Sequence, residues 1–373
     1  MRIALLPSAY APAVGGVEEL TARLARRLVA GGDDVEVWTI RHPRELPADE
    51  EINGLTVRRF ELPLPRLAAS SLVRFPLDRR RALRELHAAA EQFLPEILHV
   101  QCFSANGVYA TWLARRLGVP LVVSLQGETV MDDRDIYERS LTLRLGLRRG
   151  LRAAAAVTAC SRFVLADAER RFGLDAGKGL VIPNAVDLEE DVALEPLELP
   201  FDRFVFGLGR VVEKKGFDLL LDAFAQLSER HPGLGLVIGG DGPARAELAG
   251  RAGERVVLPG FLSRGQVGWA MENAKAFVLP SRVEPFGIVV LEALRAGCPV
   301  VVSSHGGAVE IVRDGVDGLV ADPTDVPALA AAIERVLGDT ELAARLADVG
   351  RKRAAELSWS EIARRYRELY VSV

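Results

Sequence analysis

The chain has 373 residues, of which 49% are hydrophobic and 26% charged, with a formal net charge of -4 and a pI of about 5.9. This length and apolar content are sufficient for two globular domains, each with its own core. The acidic balance argues against a general nucleic-acid binder, whose domain is normally basic.

The cysteines and the apolar runs indicate a protein of the reducing cytosol. Cys102, Cys160 and Cys298 are widely separated and show no metal-ligand spacing. The opening "MRIALLPSAYAPAVGG" is typical of a first strand and turn rather than of a signal peptide. No apolar run reaches the length of a membrane span. These patterns predict a cytoplasmic location and leave open a peripheral contact with the inner face of the cell membrane.

In the first half of the chain, strand-like runs alternate with helical patterns. "RIALLP" precedes "VEELTARLARRLVAGG", in which Val17, Leu20, Leu24 and Leu28 keep helical spacing. The runs "DVEVWTI", "EILHVQ", "PLVVSLQG" and "AAVTACS" follow. Such alternation predicts an α/β domain with a parallel sheet and helices on both faces.

The second half repeats this organisation after a change in composition. Residues 187–203, "DLEEDVALEPLELPFDR", are acidic and proline-punctuated, which indicates an interdomain linker. New strand-like runs are "FVFGLGR", "LGLVIGGDGP", "RVVLPG", "AFVLPS", "CPVVVSS" and "DGLVAD". We therefore predict two doubly wound domains, residues 1–190 and 191–355, followed by a C-terminal helix in 356–373.

Ligands of open parallel sheets bind beyond the carboxyl ends of the strands, and two glycine-containing turns lie there. Gly15 and Gly16 stand between the first strand and its helix, where a helix N-terminus favours an anion. A tight turn alone also explains these glycines. In "GLGRVVEKKGFD", Arg210 and Lys215 suit a diphosphate, and a solvated basic loop is the alternative.

A third candidate is "EPFGIVVLE", which has a glutamate at each end, Glu284 and Glu292. The flanking pattern predicts a strand, a loop and a helix that ends at Gly297. Eight helical residues span about 12 Å, more than the roughly 5–9.5 Å between paired glycosidase carboxylates. We therefore expect the glutamates to hold two ends of an extended ligand, with a helix N-terminus at 287–288 meeting a phosphate between them.

Taken in order, these motifs resemble glycosyltransferase family 4. The resemblance covers nearly the whole chain and is carried by "GGVEEL", "IPNAVD", "EKKG", "GGDGP", "PSRVEPFGIVVLEALRAG", "GGAVEIV", "DGLV" and "SWSEIARRY". It implies the GT-B fold, in which two Rossmann-like domains face a central cleft and the C-terminal helix crosses back to the N-terminal domain. It also implies retaining transfer from a UDP- or GDP-sugar to a hydroxyl of a sugar, a lipid-linked glycan or a small molecule. No cofactor, metal or nucleic acid is expected.

The resemblance also assigns roles to particular residues. Arg210 and Lys215 would hold the donor diphosphate and neutralise the leaving group in place of a metal. Glu284 would contact the donor sugar and Glu292 the nucleotide ribose. Further donor contacts are expected from the glycine turns, the base pocket and the helix start: Gly15, Gly16, Gly209, Phe261, Leu262, Phe286, Gly287 and Ile288.

One position departs from the family pattern. The family commonly has a histidine where this chain has Gln126, in "VVSLQGE". A glutamine hydrogen-bonds a sugar hydroxyl but cannot carry a proton. The resemblance implies that the departing phosphate acts as the base, so we keep Gln126 among the catalytic residues.

Three other functions are alternatives to glycosyl transfer. A nucleotide-sugar epimerase of the same fold would need an acid or base at the sugar. A non-catalytic nucleotide-sugar-binding subunit is the alternative outside enzymes. A dinucleotide dehydrogenase is disfavoured, because the first strand–turn–helix lacks G-x-G-x-x-G.

Four further residues are assigned no catalytic role. His99 lies in a strand and reads as a core residue, whereas His305, beside two glycines, lies near the expected ligand. Asp133 and Asp135 have the spacing of some metal motifs, but negative charge at a helix start explains them better.

Two arginine-rich segments, 66–85 and 139–152, also contain apolar residues. Basic amphipathic segments bind anionic membrane surfaces. A solvated helix face is the alternative. The hypothesis is that these arginines recruit the protein to a lipid-linked acceptor.

Overall fold

The computed structural model describes residues 1–13, 15–65, 69–131, 136–189 and 192–373. These residues form two compact units. Unit 1 comprises Met1–Pro183 together with Trp359–Val373, and unit 2 comprises Asn184–Ser358. The chain thus passes between the units at 183/184 and at 358/359, where the sequence had placed the boundaries at 190/191 and 355/356.

The described part of unit 1 contains a sheet of eight strands in the order β3-β4-β2-β1-β5-β6-β7-β8. All neighbours are parallel except β3 and β4. The strands are β1 (Arg2–Pro7), β2 (Asp34–Ile40), β3 (Asp49–Ile52), β4 (Leu55–Phe60), β5 (Ile97–Gln101), β6 (Leu121–Leu125), β7 (Ala156–Ala159) and β8 (Gly179–Val181). Its strand order reverses between β1 and β5.

The helices of unit 1 follow its strands along the chain. They are α1 (Gly16–Ala30), α2 (Ala69–Phe93), α3 (Ala105–Leu117), α4 (Ile136–Arg139), α5 (Leu141–Ala153) and α6 (Arg162–Phe172), with α13 (Trp359–Ser372) returning from the chain end. Helix α13 packs in unit 1, and Tyr370 on it contacts His99 of β5 at 2.6 Å. The predicted return of the C-terminal helix is confirmed.

Unit 2 has a parallel sheet of six described strands in the order β11-β10-β9-β12-β13-β14. This is the 3-2-1-4-5-6 order of a doubly wound sheet, with the switch point between β9 and β12. The strands are β9 (Arg203–Leu208), β10 (Leu234–Gly239), β11 (Val256–Gly260), β12 (Ala276–Leu279), β13 (Val300–Ser303) and β14 (Leu319–Ala321). The predicted α/β class is confirmed.

The helices of unit 2 cover this sheet. They are α7 (Phe217–Arg230), α8 (Arg245–Arg251), α9 (Arg264–Asn273), α10 (Ile288–Ala296), α11 (Val326–Gly338) and α12 (Thr340–Glu356), with short 3-10 turns at Glu213–Lys215 and Ala308–Glu310. Side chains of α7 and α11 pack against the sheet in one buried apolar cluster. This packing fixes strands β9 and β12, and therefore the positions at which the loops after them begin.

One hairpin of unit 1 is not among the elements predicted from the sequence. Strands β3 and β4 are antiparallel, with Ile52 opposite Leu55. The two residues between them, Asn53 and Gly54, have φ of +51° and +78°. Asn-Gly is the preferred pair for such a two-residue turn, so "EEINGLTV" contained the signal.

The acidic segment that was interpreted as a linker packs on unit 2. The Glu195 N–H donates to the carbonyl of Gly265, and Ser263 Oγ donates to the Glu195 carboxylate at 2.7 Å. Upstream, Arg295 donates to the carbonyl of Asp187 at 2.7 Å. The described residues on both sides of 190–191 are therefore held by unit 2.

Candidate active site

Two loops meet at the switch point of unit 2, one after β9 and one after β12. The Arg282 N–H of the second loop donates to the carbonyl of Lys214 in the first at 2.8 Å. Gly216 has φ +67°, and a Cβ there would lie 2.1 Å from the carbonyl oxygen of Pro280. The close approach therefore requires glycine. Switch points of this kind are where doubly wound sheets bind ligands.

The two loops bring together a cation and an anion that were both predicted as site residues. Lys215 Nζ donates to Glu284 Oε2 at 2.6 Å, and Ser281 Oγ donates to the same oxygen at 3.0 Å. The side chains are 15% and 5% exposed, respectively. Removing one partner of such a buried pair typically costs about 3–5 kcal/mol. The pair thus ties the loop after β9 to the loop after β12 at the carboxyl edge of the sheet.

The backbone of Glu284 is fixed by a third loop. The Gly307 N–H donates to the Glu284 carbonyl at 2.7 Å, and Glu284 forms a parallel bridge with Gly306. Gly306 has φ +116°, and a Cβ there would lie 2.1 Å from the Glu284 carbonyl oxygen. His305, just before it, has Nε2 3.2 Å from Asp322 Oδ1. His305 thus adjoins the segment that holds Glu284.

A bidentate ion pair ties the second loop to the start of α7. The Arg282 guanidinium donates to both carboxylate oxygens of Asp218, each at 2.6 Å. These hydrogen bonds lower the pKa of Asp218. Arg282 also donates to the carbonyl of Glu213 at 3.0 Å, two residues before Lys215. Neither residue was singled out from sequence, although a bidentate arginine is well suited to fixing a loop.

Helix α10 begins at Ile288, after Gly287 (φ +98°), and no side chain caps its first turn. Backbone N–H groups of this turn are therefore not used by a capping side chain. Glu284 lies in the loop before the helix, so the expectation of eight helical residues between the glutamates is wrong. Only the four steps from Ile288 to Glu292 are helical, a rise of about 6 Å. The helix does end at Gly297, as predicted.

Gly209 and Arg210 begin the first of the two loops. The Gly209 N–H donates to the carbonyl of Gly239 on the neighbouring strand at 3.1 Å. The Arg210 carbonyl accepts from Val212 at 2.9 Å, which turns the chain sharply after β9. The Arg210 side chain is exposed and lies on the same loop as Lys215. The two predicted cations, Arg210 and Lys215, are thereby carried by one short loop.

Three of the predicted apolar donor residues differ in exposure. Phe261, directly after β11, is 76% exposed, whereas Leu262 is 7% and Phe286 3% exposed. A Cβ on Gly239 would lie 2.7 Å from Leu262 Cδ1, so Leu262 packs on β10. Only Phe261 presents a large apolar surface, and the other two offer mainly backbone.

Gly15 and Gly16 stand where the sequence predicted, at the start of α1. Gly15 is the N-cap and is fully extended, with φ -177°, and no side chain caps the helix. Both glycines are exposed. The first turn carries Glu18 and Glu19, whose carboxylates already interact favourably with the helix N-terminus. An anion here would compete with those two charges.

Gln126 follows β6 at the carboxyl edge of the unit 1 sheet. Its Nε2 donates to Gln101 Oε1 at 3.0 Å, and its backbone N–H donates to Glu128 Oε2 at 2.7 Å. The other Glu128 oxygen accepts from Phe103 N–H at 2.6 Å. Glu128 therefore ties the loops after β5 and β6, which sequence reasoning did not identify.

His99 is a core residue, as the sequence predicted. It is fully buried, and burial lowers its pKa from 6.5 to about 3.

Asp133 and Asp135 lie outside the described residues. Within the described ranges, no group of three His, Cys, Asp or Glu side chains is arranged to hold a metal ion. None of the described helices is long and apolar enough to cross a bilayer.

The second arginine-rich segment forms helix α5. Leu143, Leu147 and Leu151 are buried on one side of it. The opposite side exposes two leucines and two arginines at helical spacing: Leu141, Leu145, Arg149 and Arg152. The segment is therefore amphipathic, with leucines and arginines mixed on its exposed side.

Family models match both halves of the chain. The model for glycosyltransferase family 4 matches residues 14–190, and the model for glycosyl transferases group 1 matches residues 197–353. An alpha-D-kanosaminyltransferase from Streptomyces kanamyceticus is 30% identical over 301 residues, covering 75% of this chain and 76% of the relative. Fold and matches together define a glycosyltransferase that uses a nucleotide-sugar donor. The chain belongs to glycosyltransferase family 4.

Other similar proteins cover the full chain. A glycogen synthase from Mycobacterium tuberculosis is 27% identical over 395 residues, covering 100% of this chain and 95% of the relative. The solved structure of sucrose-phosphate synthase from Thermosynechococcus elongatus has a TM-score of 0.80 and 25% identity, with full coverage of both chains. The predicted GT-B fold and glycosyltransferase activity are confirmed.

Proposed function

We propose that this enzyme transfers a sugar from a UDP- or GDP-sugar to an acceptor hydroxyl, with retention of anomeric configuration. The observation that carries the proposal is the Lys215–Glu284 pair at the switch point of unit 2, 2.6 Å from N to O. It lies on the loops after β9 and β12, and helix α10 starts four residues beyond Glu284. A cation, a carboxylate and a helix N-terminus therefore lie at the carboxyl edge of the unit 2 sheet. Such groups are suited to binding a sugar diphosphate.

In the proposed reaction, Lys215 and Arg210 stabilise the charge that develops on the diphosphate. The acceptor oxygen bonds to the anomeric carbon as the bond from that carbon to the diphosphate oxygen breaks. The acceptor proton passes to the departing phosphate, which leaves as nucleoside diphosphate. Preorganised positive groups at the developing charge supply most of the acceleration.

Glu284 has two proposed roles, one without donor and one with it. Without donor, its carboxylate is the counterion of Lys215. When the diphosphate binds, Lys215 gains a second anion, and Glu284 accepts hydrogen bonds from the donor sugar hydroxyls. Glu292, partly exposed on α10, would bind the ribose, and Phe261 would stack on the base.

We propose that the transfer needs no metal, because Lys215 and Arg210 provide the positive charge beside the leaving group. The test is donor turnover in the presence of EDTA. Unchanged rates are expected. A loss that added Mg²⁺ or Mn²⁺ restores would overturn this part of the proposal.

The donor experiment uses the purified chain with a panel of UDP- and GDP-sugars and no acceptor. A bound donor raises the melting temperature by mass action, and slow hydrolysis releases free sugar. Proton NMR of the sugar, recorded before mutarotation, should show the anomer of the donor. An isomerised donor would indicate an epimerase, and binding without chemistry a non-catalytic subunit.

For the acceptor, we propose a lipid-linked hydroxyl at a membrane surface. The support is the exposed face of α5, where Leu141 is 68% exposed beside Arg149 and Arg152. Such a face inserts leucines at the lipid boundary while arginines meet anionic headgroups. In a sedimentation assay with anionic vesicles, the wild type should be found in the vesicle pellet and the Leu141→Asp variant should not. Absence of wild-type binding at low salt would refute the proposal.

A further inference from the structure

Two ion pairs connect the segment after β9 with the loop after β12, and they differ in their relation to the donor. Lys215 and Glu284 form the first pair, and both have proposed roles toward the donor. Asp218 and Arg282 form the second, with two hydrogen bonds of 2.6 Å each. Asp218 lies three residues after Lys215, and Arg282 lies two residues before Glu284. The two pairs are therefore adjacent ties between the same two segments.

The two segments also touch through their backbones. The N–H groups of Arg282 and Val283 both donate to the carbonyl of Lys214, at 2.8 and 3.3 Å. Gly216 lies so close to Pro280 that a Cβ at 216 would be 2.1 Å from the Pro280 carbonyl oxygen. A shift of either segment by about 1 Å would break such hydrogen bonds. The geometry of the donor-site pair therefore depends on how firmly the two segments are held together.

A bound diphosphate changes the first of these ion pairs. The ammonium group of Lys215 then interacts with two anions, the phosphate and the Glu284 carboxylate, and these two anions repel each other. The attraction between Lys215 and Glu284 therefore holds the segments together less strongly than it does without donor. The rate of transfer depends on the positions of both side chains at this same stage. The site then requires a second tie, one that the donor charge does not weaken.

The pair of Asp218 and Arg282 has the properties of such a tie. It consists of one anion and one cation, so a nearby phosphate acts on its two members in opposite senses. The planar guanidinium binds both carboxylate oxygens, which fixes the orientation of the two groups as well as their distance. Arg282 also donates to the carbonyl of Glu213, in the 3-10 turn that ends at Lys215. The second pair thus holds the segment that carries Lys215 without using the lysine itself.

We propose that Arg282 and Asp218 are positioning residues, which hold the segments after β9 and β12 together while the donor diphosphate draws Lys215 away from Glu284. This inference rests on the proposed function, because it concerns the donor of that same reaction. Neither residue of the pair is assigned a contact with the donor. The pair acts through the two segments that carry the donor-site residues.

The kinetic test uses Asp218→Asn and Arg282→Gln with the best donor of the UDP- and GDP-sugar panel. Each variant should lower kcat about tenfold or more, because misplacement of a site residue by about 1 Å can cost 10²-fold. The Kd for UDP or GDP should change by no more than a few-fold, and the double variant should resemble either single one. If Arg282→Gln alone raises that Kd about tenfold or more, Arg282 is a phosphate ligand and the positioning role is wrong.

Hydrogen exchange tests the same role without turnover. The probe is the fragment that contains Arg282 and Val283, whose amides report the backbone contact between the two segments. Without nucleotide, Asp218→Asn should speed this exchange by no more than a few-fold, because the first ion pair still holds the segments. With saturating UDP or GDP, the variant should exchange about tenfold faster than the wild type or more. An equal ratio with and without nucleotide would mean that the pair is a structural tie alone, and the proposal would be overturned.

Asp222→Asn is the matched control. Asp222 lies one turn further along α7 and accepts a hydrogen bond from Arg251 of α8 at 2.7 Å. Its loss should leave kcat and the exchange of the probe fragment within a few-fold of the wild type. Asp218 also lies in the first turn of α7, where a negative charge is favourable. Arg282→Gln keeps that charge, so a loss of turnover shared by both single variants comes from the ion pair and not from the helix.

Two outcomes separate this proposal from the proposed function. If Lys215→Ala retains full turnover, the diphosphate site is wrong and the positioning role falls with it. If Lys215→Ala is inactive while Asp218→Asn and Arg282→Gln keep wild-type kcat, the positioning role is wrong and the donor site stands. The side chains of Asp218 and Arg282 are each 29% exposed, so we expect both single variants to fold.

Discussion

Lys215 and Glu284 are 69 positions apart in the chain, yet their Nζ and Oε2 atoms lie 2.6 Å apart between the loops after β9 and β12. The strands β9 and β12 are neighbours because the strand order reverses there. The side chains are nearly enclosed. A donor diphosphate that binds Lys215 must therefore act on an ion pair that already exists, and both partners respond to its charge.

Lys215→Ala should lower donor turnover about 10²- to 10³-fold, the effect of removing one preorganised group at a developing negative charge. The measurement is release of nucleoside diphosphate under saturating donor. Lys214→Ala, which changes the adjacent lysine, is the matched control and should stay within a few-fold of the wild type. Near-normal turnover in Lys215→Ala would contradict the phosphate role.

The same lysine should also affect stability through Glu284. Lys215→Ala leaves a buried carboxylate without its cation, which typically costs about 3–5 kcal/mol of unfolding free energy. Adding Glu284→Gln removes the uncompensated charge and should recover part of that loss in urea titrations, without recovering turnover. If the double variant is no more stable than Lys215→Ala, the ion pair does not stabilise the loops.

Gly306→Ala should disturb Glu284 although residue 306 carries no reactive group. A Cβ at 306 would meet the Glu284 carbonyl oxygen at 2.1 Å, and φ is +116°. We expect at least tenfold lower turnover, because misplacement of a site residue by about 1 Å can cost 10²-fold. Gly315→Ala is the control, since it has φ +71° and open space around it. Equal effects on turnover would mean that backbone strain alone is responsible.

Much of the fold follows from the periodicity of the chain. Strand β2 begins and ends at the first and last residues of the run "DVEVWTI". Helix α10 ends at Gly297, as the pattern predicted. These features are local, because a strand needs a short apolar run and a helix end needs a residue that tolerates positive φ. The β3–β4 hairpin was missed although its Asn-Gly turn is also local.

The candidate site was predictable only in part. The resemblance named Lys215 and Glu284, but the roles of Ser281 and Gly306 depend on how three loops cross, which one sequence does not specify. Gln101 offered a weak signal, since "EILHVQ" places His99 and Gln101 on one side of a central strand. A polar pair inside a buried strand requires partners, and these came from β6 and from α13, distant in sequence.

Phe261→Ala should weaken nucleotide binding without affecting folding. The side chain is 76% exposed, so stability should change by no more than about 0.5 kcal/mol. Loss of stacking on a base, about 1–3 kcal/mol, should raise the Kd for UDP or GDP about 5- to 150-fold. Pyrophosphate has no base and should bind equally well. Val316→Ala, another exposed apolar residue of unit 2, is the control.

His99 should make the protein less stable as the pH falls below about 6.5. Burial lowers its pKa from 6.5 to about 3, so between these values the unfolded chain binds a proton that the folded chain does not. Stability from this group is present above pH 6.5 and is lost as the pH falls toward 3, by at most about 1.4 kcal/mol per pH unit.

The test is urea titration of the wild type and of His99→Gln at pH 7 and pH 5. The loss of unfolding free energy between the two pH values should be about 2 kcal/mol larger in the wild type than in His99→Gln. His42→Gln, at an exposed position, should keep the wild-type pH dependence. If His99→Gln loses as much stability as the wild type between the two pH values, His99 is not the buried neutral group that links β5 to α13.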